Sequence, residues 1–331
     1  MFSRTNLKLL IRIAVSTVLI WWFTASFNWG ELIRSLAGVN YLWLLVGALW
    51  VITAVAVSVI KWRIILHAQG LRLSWKELWS AYWAGLFFNN FLPSSIGGDA
   101  IRVIWVGRTT RNSAGVAASV AIERVLATTG LSLVGGLACM FVQSPRLEIV
   151  LLFIALVIIS LSLLALLTLG KVPAFIIKRA LPAGCSKFSG VSSRTARFLA
   201  GIIENGRLIR NRPWVILRVI LWSMIFQFCV AAVNYCIFRG LDMIQLGPAE
   251  IIYIVPVISI AAMLPLGING YGIREGAYIT LLGTYGITAA QAFSSSLIFA
   301  LLVSLVSLWG GWLWLNHRNE EEGRHASFEG L

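Results

Sequence analysis

Residues 41–60, 78–98, 149–170 and 251–273 contain no Asp, Glu, Lys or Arg. Each run is close to the ~20 apolar residues that an α-helix needs to cross a bilayer core. In hydrocarbon every backbone N–H and C=O must be paired within the protein, which leaves helices and closed barrels. Barrel strands alternate apolar and polar residues, whereas these runs are continuous. The composition agrees: charged residues make up 12% of the 331 and mean hydropathy is +0.85, against about 25% charged in a soluble domain. The predicted fold class is an all-α polytopic membrane protein.

Spanning helices are expected at about 9–27, 41–60, 113–142, 149–170, 213–238 and 289–315. The N-terminal run has Arg4, Lys8 and Arg12 before it, as a signal peptide does. It is too long for one and lacks a small-residue cleavage site, so it is read as a retained helix. Two charge-free stretches resist this scheme. In the first, Asn89 and Asn90 come late, Pro93 interrupts, and Gly97-Gly98 follow before Asp99 and Arg102. In the second, Pro256 and Pro265 interrupt, and Asn269, Gly270 and Gly272 precede Arg274-Glu275. Each is followed by an apolar segment too short to span. Re-entrant broken-helix hairpins over 78–108 and 251–285 account for both. Irregular backbone at membrane depth is tolerated only where it is buried in protein or lines a wet cavity.

The two breaks echo one another. Shifting by 172 residues lays Leu92–Val103 on Leu264–Glu275 with six of the twelve positions identical, among them Pro93/Pro265, Gly98/Gly270 and Arg102/Arg274. After the motif, 113–136 aligns on 288–311 with eight of 24 identities. Three predicted crossings separate the hairpins, so they enter from opposite faces. This is an inverted repeat, with a first unit over 1–142, a second over 149–315, and a tail over 316–331. Such repeats, with broken helices meeting near the midplane, build many transporters.

The charges orient the chain. Segment 171–212 holds nine Lys/Arg against the single acid Glu204, whereas the loops 28–40, 143–148 and 239–250 together hold three basic and four acidic residues. The positive-inside rule places both termini and segment 171–212 in the cytoplasm. Phe175, Ile176, Ile177 and Leu181, then Phe198, Leu199, Ile202 and Ile203, make that segment amphipathic, suited to an anionic leaflet or to a solvated basic linker. The same rule accounts for the net charge of +14 without nucleic acid. Cys139, Cys185, Cys229 and Cys236 form no CxxC pair, and His67, His317 and His325 have no metal spacing. No phosphate loop, GxSxG or HExxH is present, so no cofactor, metal or catalytic residue is expected.

Charge inside a membrane is costly and marks function by default. Arg102 and Arg274 each follow a helix break, where helix N-terminal N–H groups add to the pull on an anion. Together they are candidates to hold an anionic headgroup near the midplane. Asp99, Glu123, Glu275 and Arg124 are candidate partners; an acid among them also suits a cationic headgroup or a coupling proton. Internal salt bridges that merely fix the hairpins, and an interfacial position for Arg124, stay open as readings. Asn89 and Asn90 either line the cavity or satisfy broken backbone. Pro93, Gly97, Gly98, Pro265, Gly270 and Gly272 are assigned to the breaks.

With Lys61-Trp62-Arg63 after the second helix, Asn90 to Arg102, Glu123-Arg124, and Leu264-Pro265 leading to Gly272-Ile273-Arg274-Glu275-Gly276, the chain resembles the lysylphosphatidylglycerol synthase transmembrane-region family. This is the flippase-like domain of the multiple-peptide-resistance proteins. The resemblance implies an inner-membrane lipid translocator acting on a phospholipid, aminoacyl-phospholipid or glycolipid. In fused members a soluble domain aminoacylates phosphatidylglycerol; the sequence ends shortly after its last predicted helix, so lysyl transfer by this polypeptide is not expected. The alternative is a non-transporting membrane subunit that presents lipid to a glycosyltransferase or lipid synthase, recruited through 171–212.

Overall fold

A computed structural model describes residues 30, 36–91, 97–142, 145–169, 201–202, 204–264, 270 and 272–329. The predicted helix over 9–27, most of the basic segment, Pro93 and Pro265 lie outside the described residues. The helices, in chain order, are α1 (Tyr41–Ala68), α2 (Trp75–Phe91), α3 (Gly97–Thr110), α4 (Ser113–Ala138), α5 (Leu147–Leu169), α6 (Pro213–Gly240), α7 (Pro248–Met263), α8 (Ile273–Gly283) and α9 (Ala289–Glu329). No strand occurs among the described residues. Five of these helices are long and apolar enough to cross a membrane: α1, α4, α5 over Leu147–Thr168, α6, and α9 over Ala289–His317.

Local chemistry sets the boundaries. Asn40 opens α1, its side-chain oxygen accepting from Leu42 N–H, and Asn112 does the same for α4 through Gly115 N–H. Ser74 and Glu77 form a reciprocal cap, Ser74 N–H donating to Glu77 Oε2 at 3.0 Å and Glu77 N–H to Ser74 Oγ at 3.2 Å. That cap starts α2 at Trp75, three residues before the predicted 78. Pro213 and Pro248 stand in the first turns of α6 and α7, where a missing N–H costs nothing. The helix predicted over 113–142 ends at Ala138, and α9 continues past 315 to Glu329.

The glycines assigned to the first break need a correction. Gly97 and Gly98 lie in the first turn of α3. A Cβ on Gly98 would stand 1.9 Å from the carbonyl oxygen of Gly85 on α2. Gly98 therefore lets α2 and α3 touch backbone to backbone. In the second hairpin Gly270 and Gly272 adopt φ of 76° and 87°, the region where a side chain is strained.

α1 packs against α6. α2 packs on α9 and α3; α7 packs on α4 and α8. The pairs α3–α4 and α8–α9, α1–α2 and α6–α7, α1–α4 and α6–α9, and α1–α9 and α4–α6 also touch. Exchanging α1 with α6, α2 with α7, α3 with α8 and α4 with α9 maps this set of contacts onto itself. The contact left over is α4 with α5. The described end of the basic segment is docked: 204–210 is helical, and Ile209 is buried among Ile65, Ile122, Leu126 and Leu164.

A candidate headgroup-binding site

The first hairpin carries Arg102 inward. Asn89 on α2 uses its side-chain oxygen to accept from Gly98 N–H at 2.9 Å, capping α3 from outside that helix. Asp99, in α3's first turn, is thereby left for other partners. Arg102 is 3% exposed and forks onto two carboxylates, Nη2 donating to Asp99 Oδ1 at 2.7 Å and Nη1 to Glu123 Oε2 at 2.9 Å. Its guanidinium carbon lies 4.4 Å from the Tyr82 ring centroid and 4.9 Å from that of Trp62. Tyr82 Oη donates to Glu123 Oε1 at 3.1 Å, and Trp62 Nε1 donates to Ser119 Oγ at 2.9 Å. The cation is thus held by charge, by hydrogen bonds and by two aromatic faces.

Asp99 has a second cation. Arg124 donates to both its oxygens, Nε to Oδ2 at 2.8 Å and Nη2 to Oδ1 at 2.9 Å, while its side chain remains 50% exposed. Behind this group lies Lys61, 2% exposed, its ammonium 4.5 Å from the centre of the Phe226 ring. No carboxylate is ion-paired with Lys61 among the described residues. Three cations, Lys61, Arg102 and Arg124, stand against two carboxylates, Asp99 and Glu123, so the cluster keeps one net positive charge inside the protein.

This cluster faces a cavity of about 220 Å³, room for about seven waters at ~30 Å³ each. One wall is polar: Tyr82, Asn89, Asp99, Arg102 and Arg124, from α2, α3 and α4. The lining from α1, α6 and α9 is apolar apart from Ser58 and includes Val51, Phe226, Val230, Phe299 and Val303. Arg124 and Phe299 occupy aligned positions of the two repeats and face the same space.

The second hairpin does something different. Glu275 Oε2 accepts from Gly272 N–H at 2.5 Å and so caps α8, while its Oε1 accepts from Arg274 Nη2 at 2.8 Å and Ser296 Oγ at 3.0 Å. Arg274 Nε donates to Ser296 Oγ at 3.0 Å. Tyr278 Oη donates to Asn234, joining α8 to α6. Arg274 and Glu275 do not line the cavity that Arg102 faces. Asn90, expected at the cavity or the break, donates to Ser307 Oγ at 3.0 Å and ties α2 to α9.

Of the predicted site residues, Asn89, Asp99, Arg102 and Glu123 come together, and Arg274 and Glu275 form a separate pair. Tyr82 gives no sequence signal beyond apolar, aromatic helix, and Trp62 is marked only within the Lys61-Trp62-Arg63 motif. The sequence marks Lys61 only within that same motif, and leaves Arg124 between a partner in the charge cluster and an interfacial cation. A lysine placed directly after a charge-free run, on a face that continues it, was the available clue.

An apolar helical bundle with a charge cluster beside a cavity defines a polytopic membrane protein. The family model for the lysylphosphatidylglycerol synthase TM region matches residues 9–311, and the chain belongs to that family. Membership ties it to a membrane, lipid-related role. No curated protein matches the sequence.

Proposed function

We propose that the protein is a flippase-like carrier, and not an enzyme, that moves a lipid with a polar or charged headgroup across the cytoplasmic membrane. The observation that carries this reading is the cavity's mixed lining. Its polar wall bears Arg102 and Arg124 beside Asp99, and its mostly apolar lining comes from α1, α6 and α9, a pairing suited to an amphiphile whose tails remain in the bilayer. Arg102 is fully engaged by Asp99 and Glu123, so it sets the local field. Arg124, half exposed, is the cation that exchanges Asp99 for a headgroup oxygen. The exchange-symmetric packing of α1–α4 and α6–α9 supports an inverted repeat, with units over 1–142 and 149–315 and re-entrant hairpins built from α2–α3 and α7–α8. In this reading both termini are cytoplasmic and lipids are the partners.

The test is reconstitution into liposomes with lipids labelled in one leaflet, using phosphatidylglycerol, aminoacyl-phosphatidylglycerol, a glycolipid and a polyprenyl-linked sugar. Transfer of at least one lipid faster than in protein-free vesicles, lost in Arg124→Ala with folding intact, is the expected result. If folded protein moves none of the panel, the carrier reading fails.

A further inference from the structure

We propose a second lipid site, separate from the central cavity: a groove on the outside of the bundle that holds one acyl chain of a phospholipid, with the lipid's phosphate on Arg239. A cavity of about 380 Å³ opens between the start of α1, the end of α6 and the start of α7. Trp43, Trp50, Phe228, Ala232 and Ile252 line it, and Tyr235 supplies a polar edge. The lining residues on α1 run from Trp43 to Trp50, about 10 Å along the axis at ~1.5 Å per residue. That is the upper part of one leaflet's share of a hydrocarbon core ~30 Å thick.

The rim is what makes the groove specific for an amphiphile. Trp43 and Tyr235 meet edge to face with ring centroids 6.0 Å apart, as interfacial aromatics do. One turn beyond Tyr235, Arg239 lies over its ring at 5.2 Å and donates from Nε to Tyr235 Oη at 3.1 Å. Among the described residues no carboxylate is ion-paired with Arg239, and it is half-buried. Arg239 is not itself a lining residue; it stands beside the groove through Tyr235, near where α1 and α7 begin and α6 stops. Asp242 and Glu250, the acids of the adjoining loop and first turn, are absent from the groove lining. An acyl chain fills the slot, and the guanidinium beside it takes a phosphate oxygen.

The experiment uses the full chain in maltoside micelles doped with a phosphatidylglycerol that carries a diazirine on its acyl chain, and in parallel with a diacylglycerol bearing the same diazirine. Cross-linked peptides are mapped by mass spectrometry. Phospholipid cross-links concentrate on Trp43–Trp50 and Phe228–Tyr235, well above those on the exposed face of α5 around Leu151, Ile154 and Ile158. Ala232→Trp, which fills the slot, removes them for both lipids. Arg239→Gln lowers the phospholipid yield about tenfold, the loss of one charge-assisted contact, and leaves the diacylglycerol yield unchanged. Equal labelling of the groove and α5 overturns the proposal. So does protection of the groove by a second copy of the chain, seen as protein–protein cross-links between groove peptides. An Arg239→Gln protein that retains full phospholipid labelling overturns the assignment of the phosphate. None of these outcomes depends on whether the central cavity transports.

Discussion

The two hairpins carry the same signature, a Pro-interrupted apolar run, glycine and an arginine, yet they use it for different ends. In the first, α3 is capped from α2 by Asn89, so Asp99 is left to bridge Arg102 and Arg124 beside the cavity. In the second, the acid next to the arginine is itself the cap: Glu275 accepts from Gly272 N–H and from Arg274, and the pair is closed off by Ser296. Both matched glycines allow a close backbone approach, Gly98 to Gly85 and Gly270 to Ala262, but only Gly270 also adopts positive φ. The first hairpin lines the cavity with charge, and the second closes its arginine off against Glu275 and Ser296.

Glu123→Ala gives the largest expected effect. It leaves buried Arg102 with Asp99 as its one carboxylate, and removing one partner of a buried pair costs about 3–5 kcal/mol, visible as a large drop in the thermal midpoint of the detergent-solubilised protein. Arg102→Met combined with Glu123→Leu recovers most of it; if the single variant unfolds no earlier than wild type, the buried pair does not hold the first half together.

Next comes Gly98→Ala. The added methyl meets the backbone oxygen of Gly85 and not a movable side chain, so it overpacks the α2–α3 contact by about 1–3 kcal/mol. Gly270→Ala is expected to cost about 1–2 kcal/mol through backbone strain, and more through its Cβ, which would stand 2.7 Å from the carbonyl oxygen of Ala262. The two are separated by Gly98→Ser, as damaging as Gly98→Ala, and Gly270→Asn, milder than Gly270→Ala because Asn tolerates positive φ. Equal responses at both positions erase the distinction.

Asp99→Asn sharpens the comparison at the level of ligand. Freed from one carboxylate, Arg124 binds anionic lipid about tenfold more tightly, some 1.4 kcal/mol, measured by native mass spectrometry with phosphatidylglycerol against phosphatidylcholine. Glu275→Gln brings no such gain, because Arg274 does not line the cavity. A gain from Glu275→Gln equal to that from Asp99→Asn shows that both halves meet the ligand. The smallest effect is on stability in Arg124→Ala: a half-exposed ion pair contributes about 0–1 kcal/mol, so the thermal midpoint hardly moves while binding falls.

Much of this was readable from residues. The charge-free runs announced helices in hydrocarbon, and the prolines and glycines placed the interruptions. Arg102, Asp99 and Glu123 were identifiable because a charge on an apolar helix needs a partner and few were available. For Arg124 the residues left a partner role and an interfacial one open, and Lys61 was not singled out: at the end of an apolar run a cation looks like an anchor to the inner surface. Whether it snorkels outward or turns inward depends on neighbours far away in the chain, here Phe226 for Lys61 and Asp99 for Arg124.

The sequence alone determined that the chain is helical and membrane-embedded, with two interrupted segments related by a 172-residue shift, because hydrocarbon leaves a backbone few options and composition reports them directly. Tertiary structure alone decided which arginine faces a cavity, which acid caps a helix and which glycine touches a neighbouring backbone. Those outcomes depend on distances between helices, and a one-dimensional repeat carries no information about which of two equivalent residues the packing will bury against its own partner.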